Sequence, residues 1–395
     1  MTKDASWAGH SAVLGDAETN SVSGGAAAGS GHLNAMQARL MAGAAASRER
    51  NFQKAKAHFD KCRQALLAST DDPAQHFTMA RHYAEIDDFS VALELLEPLA
   101  KRSPENMEIL HLLGTTAQRS GKLDLAVTTY KKLVALDPEN VELHKEHTRA
   151  LLARRKYTDA LAASETWLKV TPGDTEALSL KIIATNEVKG RAAAAELLDF
   201  ERFTSMGKLE PPEGYGSAAT FNMSLETAVY AQTTVSVRQP RGDFRVTEEL
   251  FGAETGPLYE LENLICEHVD AYYDGLDKRR KTPFMRTIPD QYILDGWARI
   301  YEGPSDQDPE IHNDAHLCGY YYVKVPDGGE AKSSAAALTL GPSPASIGGR
   351  RKLPSLNVWP DQGSIALFPA YMYAQTKPVI TGQRMICIAF SVIPA

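Results

Sequence analysis

Between residues 73 and 174, small and large apolar positions return every 34 residues. Segments starting at Pro73, Met107 and Val141 each carry alanine at the twentieth position (Ala92, Ala126, Ala160) and proline at the thirty-second (Pro104, Pro138, Pro172). The segment from Met107 adds Leu110, Leu113, Gly114, Ala117 and Tyr130. This pattern predicts a stack of antiparallel helix pairs. The small alanine lets two helices approach closely, and the proline, with no N–H and a clash with the preceding turn, ends the second helix of each pair. A less regular unit over about 37–70 has Ala55 and Phe59 in the roles of Ala126 and Tyr130, and a partial unit over about 175–201 caps the stack.

The 34-residue period resembles the tetratricopeptide repeat, which implies a helical solenoid over 36–201. Residues 202–225 contain Pro211, Pro212, Gly214 and Gly216 and read as a linker. Leu258, Leu261, Leu264, Ile265, Val269 and Tyr272 then recur at helical spacing, predicting one amphipathic helix over about 256–276. After it the pattern turns to strands, expected at 291–302, 316–325, 335–341, 355–359, 363–368 and 384–393. Turns fall at Pro326-Asp327-Gly328-Gly329, Pro360-Asp361-Gln362-Gly363 and Thr381-Gly382-Gln383. Many short strands behind one helix predict a jelly-roll or double-stranded β-helix domain over 226–395, so the fold class is α + β and multidomain. Residues 1–35, rich in Gly, Ala and Ser without hydrophobic period, are expected to be a disordered leader.

Composition narrows the function. The net charge of −8 argues against a nucleic-acid surface. There is no apolar stretch long enough for a membrane span and no basic start followed by an apolar run, so a cytoplasmic protein is expected. Cys62, Cys266, Cys318 and Cys387 are far apart, without a CxxC, and read as reduced core thiols.

The candidate chemistry lies in the last third. His312-Asn313-Asp314 precedes the apolar run Leu317 to Val323, and Arg384 opens the last expected strand. A His-x-Asp at a strand end directs both side chains to one face, because the strand period is two. Two His and one carboxylate on one face is the non-haem Fe(II) arrangement, and an Arg suits a carboxylate cosubstrate. Taken alone, His312 and Asp314 read equally as a polar loop with an Asp turn cap, and Arg384 as a solvated strand residue.

The order of blocks adds a resemblance. Asp295 to Ile300, Pro309 to Val323, Gly363 to Pro369 and Arg384 to Pro394 resemble the 2-oxoglutarate/Fe(II) oxygenase family found fused to such repeats in bacteria. The resemblance implies a β-helix fold, Fe(II) and 2-oxoglutarate as cofactors, a metal role for His312 and Asp314, and a cosubstrate role for Arg384. A tyrosine of Tyr320-Tyr321-Tyr322, with Tyr322 the choice, would help hold a carboxylate. Two departures stand out. The family shows His-x-His where this chain has Glu310-Ile311-His312, and its late hairpin His is Ala374 here. A methyl group cannot ligate iron. Three readings follow: a degenerate site; a substitute donor, with Glu310 preferred over His316 and Gln375; or water in the vacancy of a weakened enzyme. The function is therefore either oxidative hydroxylation of a protein or peptide recruited by the repeats, or a protein-interaction scaffold on a catalytically dead oxygenase fold.

Other features have plain readings. His111, His144 and His147 belong to solvated repeat faces, Lys278 to Lys281 to a helix end, and Gly348 to Lys352 to a surface loop.

Overall fold

The computed structural model describes residues 29–69, 72–238, 242–276, 282–303, 307–326, 337–347, 349–377 and 383–395. Most of the expected leader, the basic run 278–281, Gly348 and the turn residues 327–329 and 381–382 lie outside them. The chain divides into two compact units, residues 1–95 and 96–395.

The first unit holds α1 (Gly29–Arg48), α2 (Phe52–Ser69), α3 (Pro73–Glu85) and the start of α4 (Phe89–Arg102). Ala55 and Phe59 are fully buried, and the Phe59 ring stacks on His82 at 4.9 Å. Asp72 caps α3, its side chain accepting from the Ala74 amide at 2.9 Å ahead of Pro73 in the first turn.

In the second unit the pairs continue as α5 (Met107–Arg119), α6 (Leu123–Leu136), α7 (Val141–Ala153), α8 (Tyr157–Val170), α9 (Thr175–Val188) and α10 (Arg191–Leu198), followed by the short α11 (Phe200–Phe203). Asn106, Asn140 and Asp174 cap the first helix of each pair. Ala126 and Ala160 are fully buried, and a side chain at Gly114 would meet the Tyr130 ring at 3.1 Å, a tight contact. His144, expected on a solvated face, is buried with Nε2 at 2.8 Å from the Pro138 carbonyl; the helix places it against the preceding turn.

The β region follows without a break. The interval expected to be a linker carries β1 (Ser205–Lys208) and the first part of α12 (Ala218–Tyr230). Next come β2 (Thr234–Val237), β3 (Phe244–Thr247), α13 (Pro257–Gly275), β4 (Tyr292–Tyr301), β5 (Leu317–Lys324), β6 (Leu338–Leu340), β7 (Leu356–Val358), β8 (Ser364–Pro369), β9 (Ala374–Thr376) and β10 (Met385–Pro394). Seven strands form an antiparallel sheet in the order β1-β8-β5-β10-β4-β3-β2, and three form a smaller one, β7-β6-β9. The two antiparallel sheets are the double-layered β architecture that the strand pattern predicts.

Register decides which side chains share the inner face. Arg299 lies opposite Cys387 and Trp297 opposite Ala389; across β10, Cys387 and Ala389 face Tyr322 and Tyr320. The outer face is covered by helices. Tyr321 on β5 donates to Asn222 of α12 at 2.9 Å, and Tyr273 of α13 is 2.9 Å from His316 Nδ1. The middle of the sheet is thus covered on both faces, and β5 is buried along nearly its whole length. Further contacts tie α9 to this region: Thr175 Oγ1 donates to the Ala315 carbonyl at 2.9 Å, and Glu187 Oε1 accepts the amides of Arg350 and Arg351, both at 2.6 Å. The exposed loop 349–352 is therefore fastened to a repeat helix.

Candidate functional site

The inner face of the large sheet carries an unusual density of polar groups. Trp297, Arg299 and Tyr301 alternate along β4, and Cys318, Tyr320 and Tyr322 along β5. Arg299 is almost completely buried. Its guanidinium contacts the Glu310 carboxylate through Nη2, and its Nη1 donates to Tyr320 Oη and Gln307 Oε1, each at 3.1 Å. Tyr301 also donates to Gln307 Oε1, at 3.2 Å. Burial opposes both charges. The pairing outweighs it, so the Glu310 carboxyl is held well below the usual carboxylate range by Arg299 and His312, and Arg299 is raised by Glu310.

Glu310 is placed by its backbone. It forms an isolated antiparallel bridge to Ala374, with Glu310 N donating to Ala374 O at 3.0 Å and Ala374 N to Glu310 O at 2.9 Å. His312 Nε2 lies 3.5 Å from Glu310 Oε1, and the imidazole ring sits 5.1 Å from that of Trp297. Glu310, His312 and Ala374 thus meet at one end of the sandwich.

The other sequence candidates lie elsewhere. The Ala315 amide donates to the His312 carbonyl at 3.1 Å, so 312–315 is a turn and not a strand. The period-two argument therefore does not hold across it, and Asp314 is exposed. Arg384 precedes β10 with a side chain 59% exposed, and its Nε is 4.0 Å from Glu302 Oε1. It stays outside the sandwich, and the buried cation on the inner face is Arg299. Tyr322 does lie inside, with a buried hydroxyl that has no partner among the described residues. His316 is committed to the outer face: Nε2 is 2.9 Å from the Phe284 carbonyl and Nδ1 2.9 Å from Tyr273 Oη, and burial lowers it to about 4. Gln375 donates to the Gln307 carbonyl at 2.6 Å. In the sequence, Arg299 stands within the resembling block Asp295 to Ile300. Its alternation with Trp297 and Tyr301 was the available signal that it points inward.

Residues 295–391 match the family described as "Putative 2OG-Fe(II) oxygenase". The C-terminal region is thus similar to that family, and the matched segment spans β4 to β10, the strands that build the inner face. No curated protein matches the chain. Among solved structures, the helical part is similar to YrrB, described as a TPR protein with an unusual peptide-binding site, at 17% identity over 42% of this chain and 89% of that one, with a TM-score of 0.34. A crystal structure of MamA is similar at 16% identity over 42% of this chain and 90% of that one, with a TM-score of 0.35.

The family implies Fe(II) and 2-oxoglutarate, and the residues present do not fit them. Among the described residues no three His, Cys, Asp or Glu side chains converge as a metal site. Of the three side chains that meet at the end of the sandwich, one is a methyl group and one is a carboxylate already neutralised by Arg299. The cavity bounded by Trp297, Glu310, His312, Tyr320 and Ala374 measures about 10 Å³, room for one water. The nearby thiols Cys318 and Cys387 are pushed up by burial to about 12.

Proposed function

We propose that this protein is a binding protein built on an oxygenase fold: its helical repeats engage a protein or peptide, and its β region is a structural partner that does not turn over 2-oxoglutarate. The observation that carries this reading is the pairing of Glu310 with Ala374 on the backbone while the Glu310 carboxylate is committed to Arg299. A ligand position has become a methyl, and its neighbour has become half of an internal ion pair. Repeat stacks use such helical surfaces for extended partners. Cys62, Cys318 and Cys387 are buried as core residues, consistent with the reducing cytoplasm we propose as its compartment.

The test is metal-dependent decarboxylation of 2-oxoglutarate by the full-length protein, read as succinate, beside a Fe(II) or Co(II) titration by calorimetry. The expected result is no succinate above a His312→Ala control and no stoichiometric metal binding. Succinate production that His312→Ala abolishes overturns the reading and favours an enzyme in which Glu310 or water completes the site.

A further inference from the structure

Loop 349–352 lies against the face of α9 that the β region covers. Along that helix Thr175, Glu176, Ile183, Asn186 and Glu187 meet the β region, and their spacing puts them on one helix face. The turn Ala345–Ile347, just ahead of the loop, lies against α7.

The loop is held by its main chain. Glu187 Oε1 accepts the amides of both Arg350 and Arg351, and Asn186 Nδ2 donates to the Arg351 carbonyl at 3.1 Å. One loop side chain joins in: Arg351 Nη1 donates to the Asn186 carbonyl at 3.4 Å. That carbonyl is in the last turn of α9, at the negative end of the helix dipole, where a guanidinium is favoured. The side chains of Arg350, Arg351 and Lys352 otherwise stay exposed, and the buried Leu353 and Pro354 anchor the chain beyond them.

This occupancy is incomplete. Asn186 is almost completely buried, yet its Oδ1 has no partner among the described residues. An asparagine amide can donate to one main-chain carbonyl and accept from one N–H at the same time, and the loop supplies the carbonyl without the N–H. A buried acceptor left unmet is costly. The stack itself does not call for these two side chains: one period earlier, the positions of Asn186 and Glu187 are Leu152 and Ala153.

We propose that Asn186 and Glu187 form a main-chain-reading site on the last repeat for an extended, arginine-bearing segment of a partner protein, and that loop 349–352 is its internal occupant. The partner segment takes the same bonds to Glu187 and Asn186 Nδ2, adds an N–H to Asn186 Oδ1, and sets an arginine at the end of α9. The loop sequence Gly349-Arg350-Arg351-Lys352 is the template for it. The inference rests on the reading that the repeats engage a protein or peptide, and it names the chemistry of that partner.

The experiment is fluorescence anisotropy of a fluorescein-labelled peptide of residues 349–355 with the full-length protein. Arg350→Pro with Arg351→Pro removes both amide donors of the loop and opens the site. The opened protein is expected to bind the peptide at least about tenfold more tightly than the wild type. Adding Asn186→Leu and Glu187→Ala, the residues of the preceding repeat, should abolish that binding, with circular dichroism confirming that each variant remains folded. A peptide with glutamate in place of both arginines should bind the opened protein about tenfold more weakly. Hydrogen exchange of the wild type needs no variant: millimolar peptide should speed exchange of the Arg350 and Arg351 amides by displacing the loop. No binding to the opened protein, equal binding to the wild type, unchanged binding after Asn186→Leu with Glu187→Ala, equal binding of the glutamate peptide, or unchanged exchange overturns the proposal. These readouts are separate from succinate and metal binding, so failure here is distinguishable from failure of the reading beneath it.

Discussion

Arg299 and Glu310 form an ion pair across the inner face of the β region, between a side chain of β4 and the residue whose backbone bridges to Ala374. Its energetic signature should be asymmetric. Replacing Glu310 by Ala leaves a buried guanidinium unpaired; a fully buried pair broken this way loses about 3–5 kcal/mol. The Glu310 side chain is a third exposed, so about 2–3 kcal/mol is expected here. The double variant Arg299→Met, Glu310→Leu should recover most of that loss. Urea unfolding of the single and double variants measures both, and a double variant no more stable than Glu310→Ala refutes the ion-pair account.

Metal binding should be recoverable only by two changes. Ala374→His supplies a donor opposite Glu310 but leaves Glu310 with Arg299, so by itself it is expected to bind Co(II) weakly. Adding Arg299→Met frees the carboxylate, and the pair of changes should bind Co(II) at least tenfold more tightly than Ala374→His alone, because metal affinity requires an available deprotonated ligand. Absorption of bound Co(II) reports the outcome. Equal affinity in the two variants shows that Arg299 is not what withholds Glu310.

Acid should weaken the fold through His316. Burial keeps it neutral, and the carbonyl of Phe284, which accepts from Nε2, offsets only part of that effect, while Nδ1 accepts from Tyr273. Burial lowers its folded value to about 4 from an ordinary 6.5. A group depressed in this way binds its proton more readily in the unfolded chain. Stability therefore falls as pH drops from about 6.5 and levels off below about 4, by about 3 kcal/mol in all. Stability curves of the wild type against His316→Gln should converge over that interval. Parallel curves would remove His316 from the acid response.

Gly319 on β5 cannot accept a side chain. A Cβ there would lie 2.7 Å from the Ala366 carbonyl oxygen and would overlap the Phe390 ring. Gly319→Ala should destabilise by about 1–3 kcal/mol, the usual cost of overpacking, and thermal melts check it. A neutral substitution would mean that β8 can shift away.

The helical part was legible because small residues recur with the repeat. Gly114 packs tightly against Tyr130, and Ala126 and Ala160 are fully enclosed, so the period survives in the sequence, and Met107 and Val141 each open a helix. Strands β4, β5, β8 and β10, each six or more residues long, were legible from their β-type pattern. Of the short strands, β6 and β7 fall inside the expected 335–341 and 355–359, whereas β1, β2, β3 and β9 were not read, and β1 sits just before a Pro- and Gly-rich stretch that reads as a linker. At the site, Glu310 and His312 could be seen as neighbours two residues apart. The turn that follows, which sends Asp314 outward, depends on a main-chain hydrogen bond that leaves no mark in composition. Arg384 and Arg299 show the same limit from opposite sides: a charged residue beside a strand does not announce whether tertiary packing will enclose it.

The placement of β1 bears on how this protein can be dissected. Ser205–Lys208 follows directly from α11 and supplies the outermost ladder to β8, so the stretch that looks easiest to cut is the hem of the large sheet. A fragment starting at residue 226 would bare the main-chain groups of β8 and offer them to other molecules as a template for aggregation. The later repeats and the β sandwich therefore belong on one polypeptide for expression, crystallisation or transplantation, and a boundary drawn after β1 would produce a sticky remnant rather than a module.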